Sequence, residues 1–230
     1  RQLIEQGCWT PIETFSTADD TDWTARFGDM VERHIGMRGP DGSAAEARWK
    51  IGGLHNLENA LAAVAAAASA GISLEQAVDA MSRFDGVKRR MERTATVADI
   101  AIYDDFAHHP TAIAKSIKSM RRRYPGHRVI VAIEPRSNTM KLGVHNDLLA
   151  DSLMGADLVW MFRPDGMRDD FEASLQSLGN KLRLFDDYDR LVNDMSTRVL
   201  GGDQIIFMSN GGFGSARQTL TALLQRTRSG

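Results

Sequence analysis

The stretch Tyr103–Pro110, with the sequence YDDFAHHP, places two carboxylates and two imidazoles side by side. It follows an apolar run and ends in a proline, a residue favoured in the first turn of a helix. Carboxylates at a strand end can accept hydrogen bonds from ribose hydroxyls or hold the water shell of a cation. Adjacent histidines lack the usual spacing of zinc ligands. Two interpretations stay open: a ligand site, or a helix cap at Asp105 within a solvated loop.

A second polar loop, EPRSNTMKLG, begins at Glu134. Its two cations, Arg136 and Lys141, could bind carboxylates, and Ser137 and Asn138 offer neutral donors. Ordinary caps at the start of a helix are the alternative for each of these residues.

A third loop, SNGGFGS at Ser209–Ser215, joins a predicted strand to a predicted helix. Its glycines let backbone N–H groups approach an anion at the positive end of the helix. The dinucleotide fingerprint G-x-G-x-x-G is absent here, because Arg217 stands where that motif needs its last glycine. An anion-binding loop and a plain tight turn therefore both remain open.

Alternating strands and helices must position these loops. Apolar runs predict strands at Ile100–Tyr103, Arg128–Ile133, Leu158–Phe162, Leu182–Phe185 and Gln204–Met208. Helices are predicted between and after them at Thr111–Arg123, Asn146–Leu153, Phe171–Leu178, Tyr188–Leu200 and Ser215–Gln225. Short apolar strands joined by helices predict an α/β fold with a parallel sheet covered on both faces. Ligands bind beyond the carboxyl ends of such strands, so the three loops should form the ligand-binding edge.

The first third of the chain has a different pattern. Trp23–Lys50 is strand-like, and the turn at Gly39–Gly42 predicts an antiparallel hairpin. Asn56 is predicted to cap a helix, and Ser73 has the capping-box spacing at the start of a second one. A turn-prone basic stretch follows, where we place a domain boundary.

Composition excludes several classes of protein. The 230 residues are 43% hydrophobic and 25% charged, with a formal net charge of -2. This balance is typical of globular proteins and disfavours a nucleic-acid-binding module. The single cysteine, Cys8, excludes an internal disulfide and suits a reducing cytosol. Apolar runs fall short of the ~18–20 residues that a membrane span needs, so we expect a cytoplasmic protein.

Three motifs together resemble the Mur ligases, the enzymes that build peptidoglycan precursors. DDFAHHPTAI is similar to the motif that opens their C-terminal domain, GLHNLENALAA to a helix start in their central ATPase domain, and GVKRRME to the linker between the two. The motifs occur in the family's order. The resemblance implies the C-terminal part of the central domain at 1–86 and a Rossmann-like C-terminal peptide-binding domain at 87–230.

The resemblance also implies roles for individual residues. ATP would be approached by the residues that match the family's nucleotide contacts, which are Asn56, Asn59, Arg90 and Asp105, with His55 and His108 lining the site. The peptide would be bound by the second and third loops, at Arg136, Ser137, Asn138, Lys141, Asn210 and Gly211. No metal ligand is assigned among these residues.

Family chemistry implies that ATP, with Mg²⁺, phosphorylates a substrate carboxylate to an acyl phosphate, which an amine then attacks. The EPRSNTMKLG loop is most similar to the branch that joins a salvaged L-Ala-γ-D-Glu-meso-diaminopimelate tripeptide to UDP-N-acetylmuramic acid. No P-loop motif G-x-x-x-x-G-K-[ST] occurs in the sequence. We therefore expect a fragment that is inactive alone and relies on further domains of the same chain. The alternatives are an L-alanine-adding or folate-type ligase, and a non-catalytic nucleotide-binding domain.

Overall fold

The computed structural model describes residues 7–18, 20–29, 31, 33–136, 146–163, 165–166 and 171–228. The chain divides into two compact units, Arg1–Asp85 and Gly86–Gly230, here called the N-terminal and C-terminal units. Within the described part of the chain, no helix is long and apolar enough to cross a membrane.

The N-terminal unit packs two helices on a four-stranded sheet. Its strands are β1 (Phe15–Ser16), β2 (Trp23–Phe27), β3 (His34–Arg38) and β4 (Ala44–Arg48), in that order, and its helices are α1 (Leu54–Ser69) and α2 (Leu74–Arg83). The β3–β4 pair is antiparallel, which confirms the predicted hairpin. Ile35 and Met37, two positions apart in β3, are buried in one cluster with Leu57 and Leu61 of α1. These apolar side chains form the core of this unit.

Helix α1 begins earlier than the sequence predicts. Its N-cap is Gly53, with φ 101°, and the helix starts at Leu54. The prediction that Asn56 caps this helix is therefore wrong. Asn56 lies inside the first turn, where its side-chain amide donates to the carbonyl of Gly52 (2.8 Å). Glycine tolerates a positive φ, which lets the chain enter the helix at this point. The capping box predicted at Ser73 is present at the start of α2.

The C-terminal unit is a six-stranded sheet with helices on both faces. Its elements are β5 (Glu92–Val97), β6 (Ile100–Asp105), α3 (Pro110–Arg123), β7 (Val129–Ile133), α4 (Asn146–Leu153), β8 (Leu158–Phe162), α5 (Phe171–Ser174), β9 (Leu182–Phe185), α6 (Tyr188–Arg198), β10 (Gln204–Met208) and α7 (Ala216–Arg228). The strand order is β5-β6-β10-β7-β8-β9, and only β5 is antiparallel to its neighbour. The predicted α/β fold is confirmed.

Two apolar clusters lie on opposite faces of this sheet. Helices α3, α4 and α5 contribute Ile117, Leu153 and Phe171 to one cluster, whereas α6 and α7 contribute Leu191 and Leu220 to the other. Every residue of β7 and β10 is buried, as expected for central strands covered on both sides.

Strand β10 creates the switch in connectivity that positions the site. It lies between β6 and β7 and pairs with both in parallel, so that Met208 lies level with Asp105 and Ile133. The chain leaves β6 and β7 for the face that carries α3 and α4, but it leaves β10 for the face that carries α7. Such a divergence opens a crevice at the carboxyl ends of the strands.

Two elements differ from the prediction. Strand β5 was not predicted, because five of its six residues are exposed or half-buried and it lacks a continuous apolar run. The helix predicted at Phe171–Leu178 ends at Ser174, and a short 3-10 segment, Gln176–Lys181, follows it. Leu175, between the two segments, has φ -99° and ψ 0°, away from α-helical values, so the α-helix does not continue through it.

Candidate functional site

Three polar loops meet at the carboxyl edge of the C-terminal sheet, as the sequence predicts. The Ser209 N–H donates to the carbonyl of Asp105 (3.2 Å), and the Glu134 N–H donates to the carbonyl of Met208 (3.0 Å). These bonds extend the strand pairing of β10 with β6 and β7 by one residue. The three loops therefore start next to one another, from a hydrogen-bonded edge.

Glu134 is a buried carboxylate at the centre of this edge. Only 2% of its surface is exposed. The Ser209 hydroxyl donates to Oε2 (2.7 Å), and the Tyr188 hydroxyl donates to Oε1. Nε of Arg136 lies 4.0 Å from Oε1. A buried charge is stable only when it is paired and hydrogen-bonded, and these three groups meet that need.

Tyr188 reaches Glu134 from the first turn of α6. Its ring stacks on Phe162, with centroids 3.9 Å apart and planes 6° from parallel. Burial, together with the hydrogen bond to Glu134, raises the pKa of the Tyr188 hydroxyl above its ordinary value of 10.0. The phenol is therefore a neutral donor, and it orients the carboxylate toward Arg136.

Arg136 and Gly211, both predicted to bind the peptide, are in direct contact. A Cβ atom added to Gly211 would lie 2.7 Å from Nη1 of Arg136 and 2.9 Å from its Cδ. About half of the Arg136 side chain (51%) is exposed. The structure thus presents a guanidinium, with glycine backbone against it, at the edge where ligands bind in this fold.

Arg89 holds the third loop by hydrogen bonds, a role that was not predicted from the sequence. Its Nη2 donates to the carbonyls of Ser209 and Gly211, each at 2.6 Å. Its Nε lies 3.6 Å from Oδ2 of Asp104. The neighbouring Arg90 drew attention because it matches a family motif, and nothing in the sequence separates the two arginines. Only the contacts show that Arg89 is the one bound to the loop.

A cleft of ≈ 240 Å³ lies beside Arg89. The cleft is lined by Arg89, Asp104, Phe207, Ser209, Gly211, Gly212, Phe213, Arg217 and Gln218. Nη2 of Arg217, in the first turn of α7, is 3.2 Å from Oδ2 of Asp104. Two guanidinium groups and one carboxylate thus surround a small space whose other walls are glycine backbone and phenyl rings. Arg217 was not predicted from the sequence either, because it stands only where the dinucleotide motif would need its last glycine.

A second group of predicted residues surrounds Phe106, which is half-buried. The guanidinium of Arg90 lies 5.5 Å from the ring centroid, and its residue is exposed. His108 packs edge-on against the same ring at 5.3 Å, while its Nδ1 is 3.0 Å from the carbonyl of Phe106. This pair suits a nucleotide, because a guanidinium can bind phosphate and an aromatic ring can stack on a base.

Asp105, which the resemblance implies to be a nucleotide contact, is buried in the structure. It is 3% exposed, and its carboxylate accepts hydrogen bonds from the Ser116 hydroxyl and from the Ala107 N–H (3.4 Å). Burial raises the pKa of this carboxyl above its ordinary value of 3.8, against the lowering effects of Ser116, Ala107 and the charge of Arg90. A ribose could use only the acceptor capacity that these partners leave.

The remaining predicted residues fall into three groups. His55, Asn56 and Asn59 lie in α1 of the N-terminal unit; the first two are half-buried and Asn59 is exposed. Asn56 and Asn59, three positions apart, share one face of the helix. In the third loop, Asn210 is half-buried. Ser137, Asn138 and Lys141 lie outside the described residues. Among the residues that the structure describes, no group of three or more His, Cys, Asp or Glu side chains could hold a metal ion.

Comparison with known proteins gives this site its context. Residues 89–211 match the family described as Mur ligase, glutamate ligase domain. The chain is 34% identical over 221 residues to the UDP-N-acetylmuramate–L-alanyl-γ-D-glutamyl-meso-2,6-diaminoheptandioate ligase of Haemophilus influenzae. This match covers 96% of the present chain and 48% of that ligase. A murein peptide ligase from Psychrobacter arcticus is 36% identical and has a TM-score of 0.70, over 97% of this chain and 48% of that one. The UDP-N-acetylmuramate–alanine ligase of Thermotoga maritima shares the fold, with a TM-score of 0.78 at 21% identity, over 94% of this chain and 48% of that one.

An α/β domain with arginines at the carboxyl edge of its sheet, together with this match, falls in the class described as glutamate ligase domains. The chain belongs to the Mur ligase family. The family predicted from DDFAHHPTAI and its two companion motifs is therefore confirmed. The chain spans about half the length of the curated relatives that it matches.

Proposed function

We propose that this chain is part of a ligase that joins an L-Ala-γ-D-Glu-meso-diaminopimelate tripeptide to UDP-N-acetylmuramic acid, in peptidoglycan recycling. In this proposal 1–86 is the C-terminal part of the central ATPase domain and 87–230 is the peptide-binding domain. The H. influenzae relative is named for these same substrates. Because they include a nucleotide sugar and ATP, we assign the protein to the cytoplasm.

The contact of Arg136 with Gly211 carries the proposal. A guanidinium binds carboxylates bidentately, and the tripeptide carries carboxylates as its main recognisable groups. Glu134 lies within 4.0 Å of the Arg136 Nε and limits the positions that this long side chain can adopt. Restricting the side chain in this way reduces the entropy that is lost when the peptide binds.

ATP would be met by Arg90, Phe106 and His108 on the C-terminal unit and by Asn56, Asn59 and His55 on the N-terminal unit. When bound, Mg²⁺ would supply neutralisation of the charge on the phosphoryl group. Arg90 would contribute a permanent positive charge for the same purpose. Asp105 would hold Ala107 and Ser116 in place through its hydrogen bonds.

In the proposed reaction the muramyl carboxylate is phosphorylated by ATP, and the free amine of the tripeptide attacks the acyl phosphate and expels phosphate. Apart from Arg90, the described residues of the C-terminal unit would not contact the reacting atoms. They would hold the peptide by its carboxylates so that its amine is aligned with the acyl carbon, and alignment of this kind supplies a large share of rate enhancement.

The test is ligation by the whole protein with UDP-N-acetylmuramic acid, ATP, Mg²⁺ and either L-alanine or the tripeptide, with products identified by mass spectrometry. We expect product with the tripeptide alone. Arg136→Gln should raise the KM for the tripeptide about 10- to 100-fold, because a charge-assisted pair is lost. The KM for ATP should stay unchanged.

Arg190→Gln is the matched control. Arg190 is 74% exposed and pairs with Asp186 on the surface of α6, so the same loss of charge should leave every KM unchanged. Product with L-alanine alone would overturn the proposed substrate and assign the protein to the L-alanine-adding ligases. An unchanged tripeptide KM in Arg136→Gln would overturn the role of the Arg136–Gly211 contact.

A further inference from the structure

The proposed peptide needs more than one cation. In the substrate named for the H. influenzae relative, the γ-linkage leaves the α-carboxylate of glutamate free, and the terminal dioate leaves two more carboxylates. A single guanidinium such as Arg136 binds one carboxylate bidentately. The other carboxylates must be bound by different cations or remain in water. This requirement rests on the proposed function, and other cations at the sheet edge could meet it.

The cleft between Arg89 and Arg217 meets the requirement. It is separate from the Arg136 side chain, which is not among its lining residues, but both touch Gly211. A peptide bound over Gly211 could therefore reach both. The cleft is also small, at ≈ 240 Å³, and suits a compact group rather than a base or a sugar.

The two arginines of the cleft differ in how they are held. Arg89 donates to two backbone carbonyls, so its Nη2 is already engaged. Among the residues that the structure describes, Arg217 pairs with Asp104, and 21% of its side chain is exposed. The guanidinium of Arg217 therefore retains donors for a ligand, whereas Arg89 serves mainly to hold the loop and add positive charge.

The charge of the cleft selects the ligand. Arg89 and Arg217 contribute two positive charges and Asp104 one negative charge, which leaves one positive charge in excess. One carboxylate neutralises that excess, but a phosphate dianion would overcompensate it beside Asp104. The phenyl groups of Phe207 and Phe213 exclude water from one side and strengthen the pairing.

We propose that the Arg89–Asp104–Arg217 cleft is a second carboxylate subsite for the peptide, with Arg217 as the contacting residue and Arg89 as a positioning residue. It is distinct from the Arg136 contact and determines specificity by requiring a second carboxylate at a fixed distance from the first.

The experiment compares the whole protein with its Arg217→Gln variant, using the tripeptide and three analogues that each have one carboxylate converted to the carboxamide. In the unaltered protein, one analogue should show a KM about 10- to 100-fold higher than the parent tripeptide. Arg217→Gln should raise the KM for the parent tripeptide to a similar extent. With Arg217→Gln, the KM for this analogue should equal the KM for the parent tripeptide, because the guanidinium that recognises the missing carboxylate is already absent.

Arg217→Lys retains a charge but not the planar donor pair, and it should recover part of the loss. Arg190→Gln again serves as the control with unchanged KM. Thermal unfolding of each variant shows whether Arg217→Gln folds; if it does not, Gln218→Glu, which adds a negative charge to the same cleft wall, should raise the tripeptide KM in its place.

Several outcomes would overturn the subsite. The first is a wild-type KM for the tripeptide in both Arg217→Gln and Gln218→Glu. The second is a rise in KM for all three carboxamides that adds to the effect of Arg217→Gln. The third is a rise in the KM for ATP instead, which would assign the cleft to a nucleotide phosphate. No ligation of the tripeptide by the unaltered protein would overturn the proposed function itself, and the subsite with it. The two failures are thus distinguishable.

Discussion

The hydroxyl of Ser209 lies 2.7 Å from Oε2 of Glu134 and joins the loop after β10 to the loop after β7. The same Oγ accepts a hydrogen bond from the N–H of Gly211 (2.9 Å). One hydroxyl therefore links the buried carboxylate to the glycine that contacts Arg136. Because each partner is satisfied by the next, the chain of contacts specifies one arrangement of the candidate peptide site.

We expect Glu134→Ala to lower the free energy of unfolding by about 2–4 kcal/mol, because the hydroxyls of Ser209 and Tyr188 lose their acceptor inside the protein. Glu134→Gln retains one acceptor and should cost less. The measurement is urea unfolding of the 230-residue chain, followed by circular dichroism. A change within about 0.5 kcal/mol for the alanine variant would contradict the role of this carboxylate.

Two glycines of the third loop should respond differently to alanine. A Cβ at Gly214 would meet the Tyr188 ring well inside 3.0 Å, at φ +50°, whereas a Cβ at Gly212 meets nothing within 4 Å. Gly214→Ala should destabilise the chain by about 2–4 kcal/mol through overpacking and backbone strain. Gly212→Ala should change stability by less than about 0.5 kcal/mol. Equal effects in thermal unfolding would show that the stacked tyrosine does not limit this position.

Gly211→Ala should separate function from stability. The added Cβ would meet Arg136, whose guanidinium is the far end of a flexible side chain and can move away. We expect a shift in stability below about 1 kcal/mol but a rise of about 10-fold or more in the tripeptide KM of the whole protein, because a loss of preorganisation weakens binding. Steady-state kinetics with the tripeptide as the varied substrate tests this. A large loss of stability with an unchanged KM would reverse the interpretation.

Asp105 should make stability depend on pH in a direction opposite to that of most carboxylates. Its pKa in the folded chain is raised above the ordinary value of 3.8, chiefly by burial. The folded chain therefore binds this proton more tightly than the unfolded chain does. The stabilisation is complete below about pH 3.8 and is lost as the pH rises through the folded-state pKa.

Asp105→Asn removes this titration. The difference in unfolding free energy between the parent chain and the variant should therefore shift in favour of the variant as the pH rises above 3.8. Urea unfolding at several pH values up to 7 measures the difference. A difference that is constant with pH, or that shifts in favour of the parent chain, would show that the folded-state pKa is not raised.

Much of the fold could be predicted because the central strands are continuous apolar runs. Leu158–Phe162 and Gln204–Met208 have the predicted bounds, since buried parallel strands show this pattern without alternation. The edge strand Leu182–Phe185, which is half-buried throughout, also has the predicted bounds. Edge strand β5 escaped prediction because its exposed residues have no such pattern. The position of β10 in the middle of the sheet depends on long-range packing that local patterns do not encode.

The candidate site was predictable only in part. The family motifs indicated Arg136 and Gly211, which do meet in the structure. Arg89, Glu134 and Tyr188 were not given roles, because their importance lies in partners that are 120 or more residues away (Arg89 and Ser209) or 54 residues away (Tyr188 and Glu134). A polar residue directly after an entirely apolar strand, as Glu134 is, was the one available signal.

The central position of β10 has a consequence for synthesis on the ribosome. It is the last strand of its sheet to be made, yet β6 and β7 lie on either side of it and cannot pair with each other in the final order. While β10 is still missing, both strands expose backbone donors and acceptors, which makes a nascent chain prone to wrong association. Since non-local pairing is slow, this unit can complete its sheet only after β10 has been translated.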